Sequence, residues 1–219
     1  NAAFASANGQ VGMGDGITKA KGSYGSLVIT ADGKYTYTLD SRADALDGKD
    51  SPSEEFTIYV RDEYGAWDAK QVSITVHGAN DAPVILDATP LAVTESGVTA
   101  VSSNNSDGNK IFDGTLSAKG QISAKDVDVN DKLTYSVTSA SGTGTTGEME
   151  TVADVTANNP HVVDLISYNI AYKVATGILY LKTDTGQYLF ELNDTAVEHL
   201  NQGDSRVVDF SFSVTDGSK

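Results

Sequence analysis

The chain has 219 residues, 39% of them hydrophobic, with 30 acidic against 15 basic side chains and a net charge of -15. That balance opposes binding to nucleic acid and to anionic membrane surfaces, and it suits divalent cations. With no cysteine there is no disulfide, thiolate zinc site or thiol catalyst, and no apolar run approaches the ~18 residues of a membrane span.

Period-two patterning dominates from the start. Leu27 and Ile29 alternate with polar neighbours, as do Tyr35, Tyr37 and Leu39, then Phe56, Ile58 and Val60, then Val72, Ile74 and Val76. Each set predicts a half-buried strand. Asp32-Gly33 between the first two sets predicts a hairpin turn, because the turn needs a positive φ. Ser41 to Leu46 reads either as one helical turn or as an irregular loop with Leu46 plugging the core. Trp67 beside a strand reads as a core or edge residue, or as a sugar platform. Gly78-Ala79-Asn80-Asp81-Ala82-Pro83 is rich in breakers and marks a boundary, giving domains 1–83 and 84–219.

Beyond the boundary, Leu91 to Thr94, Gly114 to Ala118, Gln121 to Ala124 and Leu133 to Val137 predict strands. Ser139 to Gly147 reads as a Ser/Thr/Gly-rich loop, and Val162 to Ile166 with Asn169 to Val174 as a strand pair. Asp194 to Leu200 has the pattern of Ser41 to Leu46, with Asp194 placed to cap a helical turn. No segment sustains a helical period, so the expected fold is all-β, a sandwich.

Two stretches match each other. Gly25, Leu27, Ile29, Tyr35, Tyr37, Leu39, Leu46, Phe56, Ile58, Val60 and Asp62 recur as Gly177, Leu179, Leu181, Tyr188, Phe190, Leu192, Leu200, Phe210, Phe212, Val214 and Asp216. The offset begins at 152 and two single insertions bring it to 154. A repeat of domain size implies two tandem modules of an array. The copies are out of phase: nothing before Tyr24 matches Glu95 to Val137, and nothing after Asp216 matches Gln71 to Val76. The first module is therefore expected to be incomplete at its front and the second to lack its last strand, which leaves a sheet edge to be filled by a neighbour or to stay mobile.

Acidic residues gather at Asn80-Asp81, at Asp126-Val127-Asp128-Val129-Asn130-Asp131, at Asp216 and at Glu95. Calcium takes six to eight oxygen ligands. In an extended chain Asp126 and Asp128 share one side and both reach one ion, with Asp131 as a turn residue or outer ligand. The competing reading is that these aspartates only cap turns. Enzyme readings are weak. His77, His161 and His199 form no spaced metal pair, and neither a phosphate loop nor a dinucleotide fingerprint is present.

The motifs carry a resemblance. Tyr24-Gly25-Ser26-Leu27, Asp32 to Asp40, Phe56-Thr57-Ile58, Asp62, Gly78 to Ile85, Val93-Thr94-Glu95, Leu116 to Gln121 and Asp126-Val127-Asp128 together look like VCBS repeats, modules of the large repeats-in-toxin adhesins of Gram-negative bacteria. The resemblance covers most of the chain; residues 1–21 and 139–174 match poorly. It implies tandem immunoglobulin- or cadherin-like β-sandwiches. It also implies Ca2+ between domains, held by Asn80 and Asp81, Asp126 and Asp128, and Asp216, with Glu95 and Asp62 turned toward other linkers. The function expected from it is that of a non-catalytic extender in a secreted, cell-surface adhesin that supports attachment or biofilm formation. Its partners would be neighbouring repeats. The alternative is a glycan- or peptide-binding module working through 139–174.

Overall fold

The computed structural model describes residues 3–6, 18–30, 32–99, 110–112, 114–129, 131–144, 149–201 and 203–217. It is almost wholly β, and its sheets are antiparallel. The chain forms two compact units, one of residues 1–82 with 126–131, the other of residues 83–125 with 132–219.

The first unit holds β1 (Ala3–Ser6), β2 (Thr18–Lys21), β3 (Gly25–Ile29), β4 (Tyr35–Leu39), β5 (Ser53–Arg61) and β6 (Trp67–Thr75). They make two three-stranded sheets, β1-β5-β6 and β2-β3-β4. Ala20, Leu27, Ile29 and Phe56 are buried between them, with Tyr37, Ile58 and Ile74 packed alongside. The Asp32-Gly33 turn forms as predicted, with Gly33 at φ 81° and its N–H donating to the Thr30 carbonyl at 2.9 Å. Ser41 to Leu46 contains a single 3₁₀ turn, Ala43–Ala45, and Leu46 behind it is buried.

The second unit holds β7 (Val84–Ala88), β8 (Gly97–Thr99), β9 (Lys110–Phe112), β10 (Ser117–Lys125), β11 (Thr134–Ser141), β12 (Glu150–Thr151), β13 (His161–Val163), β14 (Ile166–Tyr168), β15 (Ile170–Val174), β16 (Gly177–Lys182), β17 (Gln187–Leu192), α1 (Asp194–Val197) and β18 (Asp209–Thr215). A six-stranded sheet runs β12-β15-β16-β17-β10-β7, and a two-stranded sheet pairs β11 with β18. Ile122, Tyr135, Val137, Tyr172, Val174, Leu179, Leu181, Tyr188 and Phe190 form the main core, with Phe210, Phe212 and Val214 of β18 packed against it.

The internal repeat reappears as strand register. Gly25 pairs with Leu39, Leu27 with Tyr37 and Ile29 with Tyr35; Gly177 pairs with Leu192, Leu179 with Phe190 and Leu181 with Tyr188. The Tyr37 and Phe56 rings meet at 5.8 Å and 58°, their counterparts Phe190 and Phe210 at 6.1 Å and 55°. The correspondence reaches further back than the sequence match. β2 meets β3 through Ala20 and Leu27, as β15 meets β16 through Tyr172 and Leu179. Both modules keep glycine at the same place for one reason. A Cβ on Gly25 would lie 2.3 Å from the Thr38 carbonyl oxygen and 2.8 Å from the Tyr37 ring, and one on Gly177 2.3 Å from the Glu191 carbonyl oxygen and 2.7 Å from the Phe190 ring.

Several details differ from expectation. Leu91 to Thr94 is not a strand, only a bridge from Thr94 to Thr115, while of Gly114 to Ala118 only Ser117 and Ala118 are strand, joined with Gln121 to Ala124 in the single strand β10. The loop expected from Ser139 begins later, because β11 continues to Ser141 opposite β18. The pair expected from 162–174 is instead a tight hairpin, β13-β14, followed by β15 on the sheet. That hairpin lies over a second apolar cluster of Tyr168, Ala171, Tyr180 and Leu189. Hence β16 and β17 are buried on both faces rather than alternating. In β4 only Tyr37 is partly buried, while Tyr35 and Leu39 are each 52% exposed. β4 ends its sheet, whereas its counterpart β17 is flanked by β10.

Candidate metal centre

Two segments of the first unit converge. The linker is drawn back onto its own module: Gly78 N–H donates to the Asp50 carbonyl at 3.0 Å and Ala79 N–H to the Leu46 carbonyl at 3.2 Å. Only glycine fits at 78, since a Cβ there would run into the backbone of Leu46 and Asp47. The Asp126 to Asp131 turn is hung on the 3₁₀ turn by Val129 N–H, which donates to the Ala45 carbonyl at 3.3 Å. Asp81 N–H then donates to Asp128 Oδ2 at 2.7 Å, joining linker and turn.

The turn is not the extended chain that the Asp-x-Asp spacing predicts. β10 stops at Lys125 and the following residues bend, with Asp128 N–H donating to Asp126 Oδ1 at 3.2 Å. This local bond, rather than strand alternation, sets the course of the turn. A carboxylate oxygen of Asp126 lies within 4.8 Å of one from Asp131.

Burial in this turn is inverted. Val127 and Val129 are 48% and 57% exposed, while Asp128 between them is 5% exposed. Asp128 Oδ1 and Asp126 Oδ2 are buried with no hydrogen-bond donor. An ionised carboxylate removed from water without a partner costs several kcal/mol, of order the whole contribution of a good core residue. A cation among these oxygens would remove the penalty, and bare carboxylate oxygens are the donors that calcium prefers.

The other predicted ligands are placed as follows. Asn80 Nδ2 donates to the Asp81 carbonyl at 2.9 Å. Asp62 closes the β5-β6 turn, its Oδ1 accepting from Tyr64 N–H at 2.9 Å and Ala66 N–H at 2.8 Å. Glu95 belongs to the second unit beside the Thr94–Thr115 bridge, and Asp216 follows β18 of the same unit. Asp194 does not cap α1. Asn193 occupies that position, without a side-chain cap, and the Asp194 carboxylate accepts from Ser96 N–H at 3.0 Å and from the Ser96 hydroxyl.

Sequence reasoning missed one buried acid. Glu54 is 7% exposed, yet both its oxygens are engaged, Oε1 by Ser23 N–H and by Tyr24 N–H at 2.8 Å, Oε2 by the Tyr37 hydroxyl. Burial, then this hydrogen bond, raises the Tyr37 phenol well above its ordinary value. Glu54 is thus a satisfied structural carboxylate, the opposite of Asp128. Trp67 lies on the edge strand β6, 67% exposed and tilted against Tyr59 at 5.6 Å.

No protein-family model, no curated protein and no solved structure matches the chain. No helix among the described residues is long and apolar enough to cross a membrane.

Proposed function

We propose that this chain is a non-catalytic structural repeat of a large secreted bacterial adhesin, whose modules are stiffened at their joints by calcium. The observation that carries the reading is the inverted turn, with a buried Asp128 whose Oδ1 has no donor between two exposed valines. Asp126, Asp128 and Asp131 would supply carboxylate oxygens, and Asn80 and Asp81 carbonyl or carboxylate oxygens. Calcium there would tie the linker to the Asp126 turn, both of which lead into the following module. The repeated registers support an array role, because the same hairpin and the same aromatic pair are used twice. The adhesin context and the cell-surface location rest on the motif order described above.

Isothermal calorimetry of chelator-treated protein tests this. Calcium binds with a single main transition, and Asp128→Asn weakens it at least tenfold. Asp216→Asn decides whether the second unit adds a ligand. No heat of binding at millimolar calcium removes the proposal.

A second reading is favoured by one residue. Asp164 and Leu165, the two residues of the β13-β14 turn, both have positive φ (51° and 67°), and Leu165 is 97% exposed. Leucine is costly in that conformation and nothing covers it, as would suit a contact residue for a peptide or glycan. Loss of binding by Leu165→Gly on a glycan or peptide array would support this alternative.

A further inference from the structure

The β5-β6 hairpin has two unlike faces. Phe56 and Ile58 of β5 and Ile74 of β6 belong to the core of the first unit. The residues that alternate with them point the other way. Three cross-strand contacts lie on that outer face. The Tyr59 and Trp67 rings meet at 5.6 Å and 57°. Gln71 Nε2 donates to Glu55 Oε2 at 2.6 Å, and the Ser53 and Ser73 hydroxyls share a hydrogen bond at 2.6 Å. The strand register sets these contacts in a row: the aromatic pair at the turn end, then the amide with the carboxylate, then the two hydroxyls.

Trp67 is 67% exposed, although tryptophan has a large apolar surface to bury. Ala69, opposite Tyr59, brings only a methyl group to the face. β5 is paired with β1 on one side and β6 on the other, so its backbone groups are used. A ligand lying on this face therefore meets side chains, and strand addition is not its mode of binding. The charges are balanced. On this face of the two strands Arg61 is the single cation and Glu55 the single anion, and Arg61 Nε is turned to the Gly65 carbonyl at 3.3 Å. In a chain of net charge -15 such a patch suits a neutral ligand, because an anionic one is repelled by the rest of the molecule.

An exposed aromatic ring has a negative face, which attracts the polarised C–H bonds of a sugar ring. A side-chain amide supplies donors and an acceptor, and a carboxylate has several lone pairs, so Gln71 and Glu55 together can take up neighbouring sugar hydroxyls. The face is open and runs the length of the strands, which fits an extended glycan ribbon better than a compact or branched one.

We propose that the outer face of the β5-β6 hairpin binds a neutral, β-linked glycan of equatorial pyranoses. The glycan lies along the strands, with one ring stacked on Trp67 and the hydroxyls of another bonded to Gln71 and Glu55. This site rests on neither the cation site nor Leu165, so each can fail alone.

Trp67 is the only tryptophan, so its emission reads the site in the unaltered full chain. The probes are cellohexaose, xylohexaose, mannohexaose and chitohexaose. At least one should shift the emission to the blue in a saturable titration and give a heat of binding by calorimetry. By calorimetry Trp67→Ala should weaken that binding at least tenfold, and Trp67→Phe, which keeps a ring, should weaken it less. Gln71→Ala should weaken it at least threefold with the far-ultraviolet spectrum unchanged, and Leu165→Gly should leave it unaltered. An emission unmoved by all four probes at millimolar concentration overturns the proposal. So does binding that survives Trp67→Ala or is lost in Leu165→Gly, or equal affinity for a hexamer of glucuronate with the cellohexaose linkage.

Discussion

Asp128 and Glu54 are both buried carboxylates, and they illustrate opposite solutions to one problem. Glu54 takes two backbone N–H groups and a phenol, so its charge is solvated by the protein. Asp128 takes one N–H on Oδ2 and nothing on Oδ1. Neither state was legible in the sequence. The donors to Glu54 come from residues 23, 24 and 37, and the burial of Asp128 depends on valines that turn outward against their usual preference. The paired glycines were legible as a repeat, but not as ring sites. Replacing either should be costly for the same reason: Gly25→Ala and Gly177→Ala each drive a Cβ against a facing backbone carbonyl and an aromatic ring. A loss of about 1–3 kcal/mol is expected from urea unfolding for each. A loss below a few tenths would mean that the glycines are kept for another reason.

Strands are the elements the sequence specified best. The alternation at Phe56, Ile58 and Val60 and the Asp32-Gly33 turn both lead to the observed hairpins. The alternation rule failed where neighbouring elements decide burial. Ile178, Leu179, Tyr180 and Leu181 are four apolar residues in a row, the signal of a strand covered on both faces, and the β13-β14 hairpin supplies the second cover. In β4 the pattern was right, but among the described residues no strand lies beyond it and Tyr35 is exposed. Tyrosine ionisation separates these environments. Burial, then the Glu191 charge and hydrogen bond, pushes Tyr180 up to about 12, and burial raises Tyr168 and Tyr188 as well. A raised phenol favours the folded state fully below the ordinary value near 10, and that contribution is lost as pH rises through the folded value. Absorbance at 295 nm should therefore show Tyr180 ionising only toward pH 12, together with unfolding, and Tyr168 and Tyr188 ionising above the ordinary phenol value. One smooth transition of all ten tyrosines near pH 10, with the fold intact, would contradict the burial described.

The whole molecule combines a net charge of -15 with a turn that buries aspartate and exposes valine. The repeat was legible because each module must rebuild the same core, whereas the proposed cation site would depend on a bend that strand spacing did not foretell. The central claim is that the Asp128 carboxylate is a strain without calcium and an asset with it. Trp67, the only tryptophan, belongs to the first unit and reports its unfolding by fluorescence. Thermal melts of the parent and of Asp128→Asn, each with chelator and with millimolar calcium, test the claim directly. Asparagine keeps an acceptor for Asp81 N–H and removes the charge. Calcium should raise the melting temperature of the parent, with about 2.7 kcal/mol gained at a hundredfold excess over the dissociation constant. In chelator Asp128→Asn should melt at or above the parent, and calcium should no longer move it. A variant that melts below the parent in chelator, yet shifts with calcium as much as the parent does, would contradict the account.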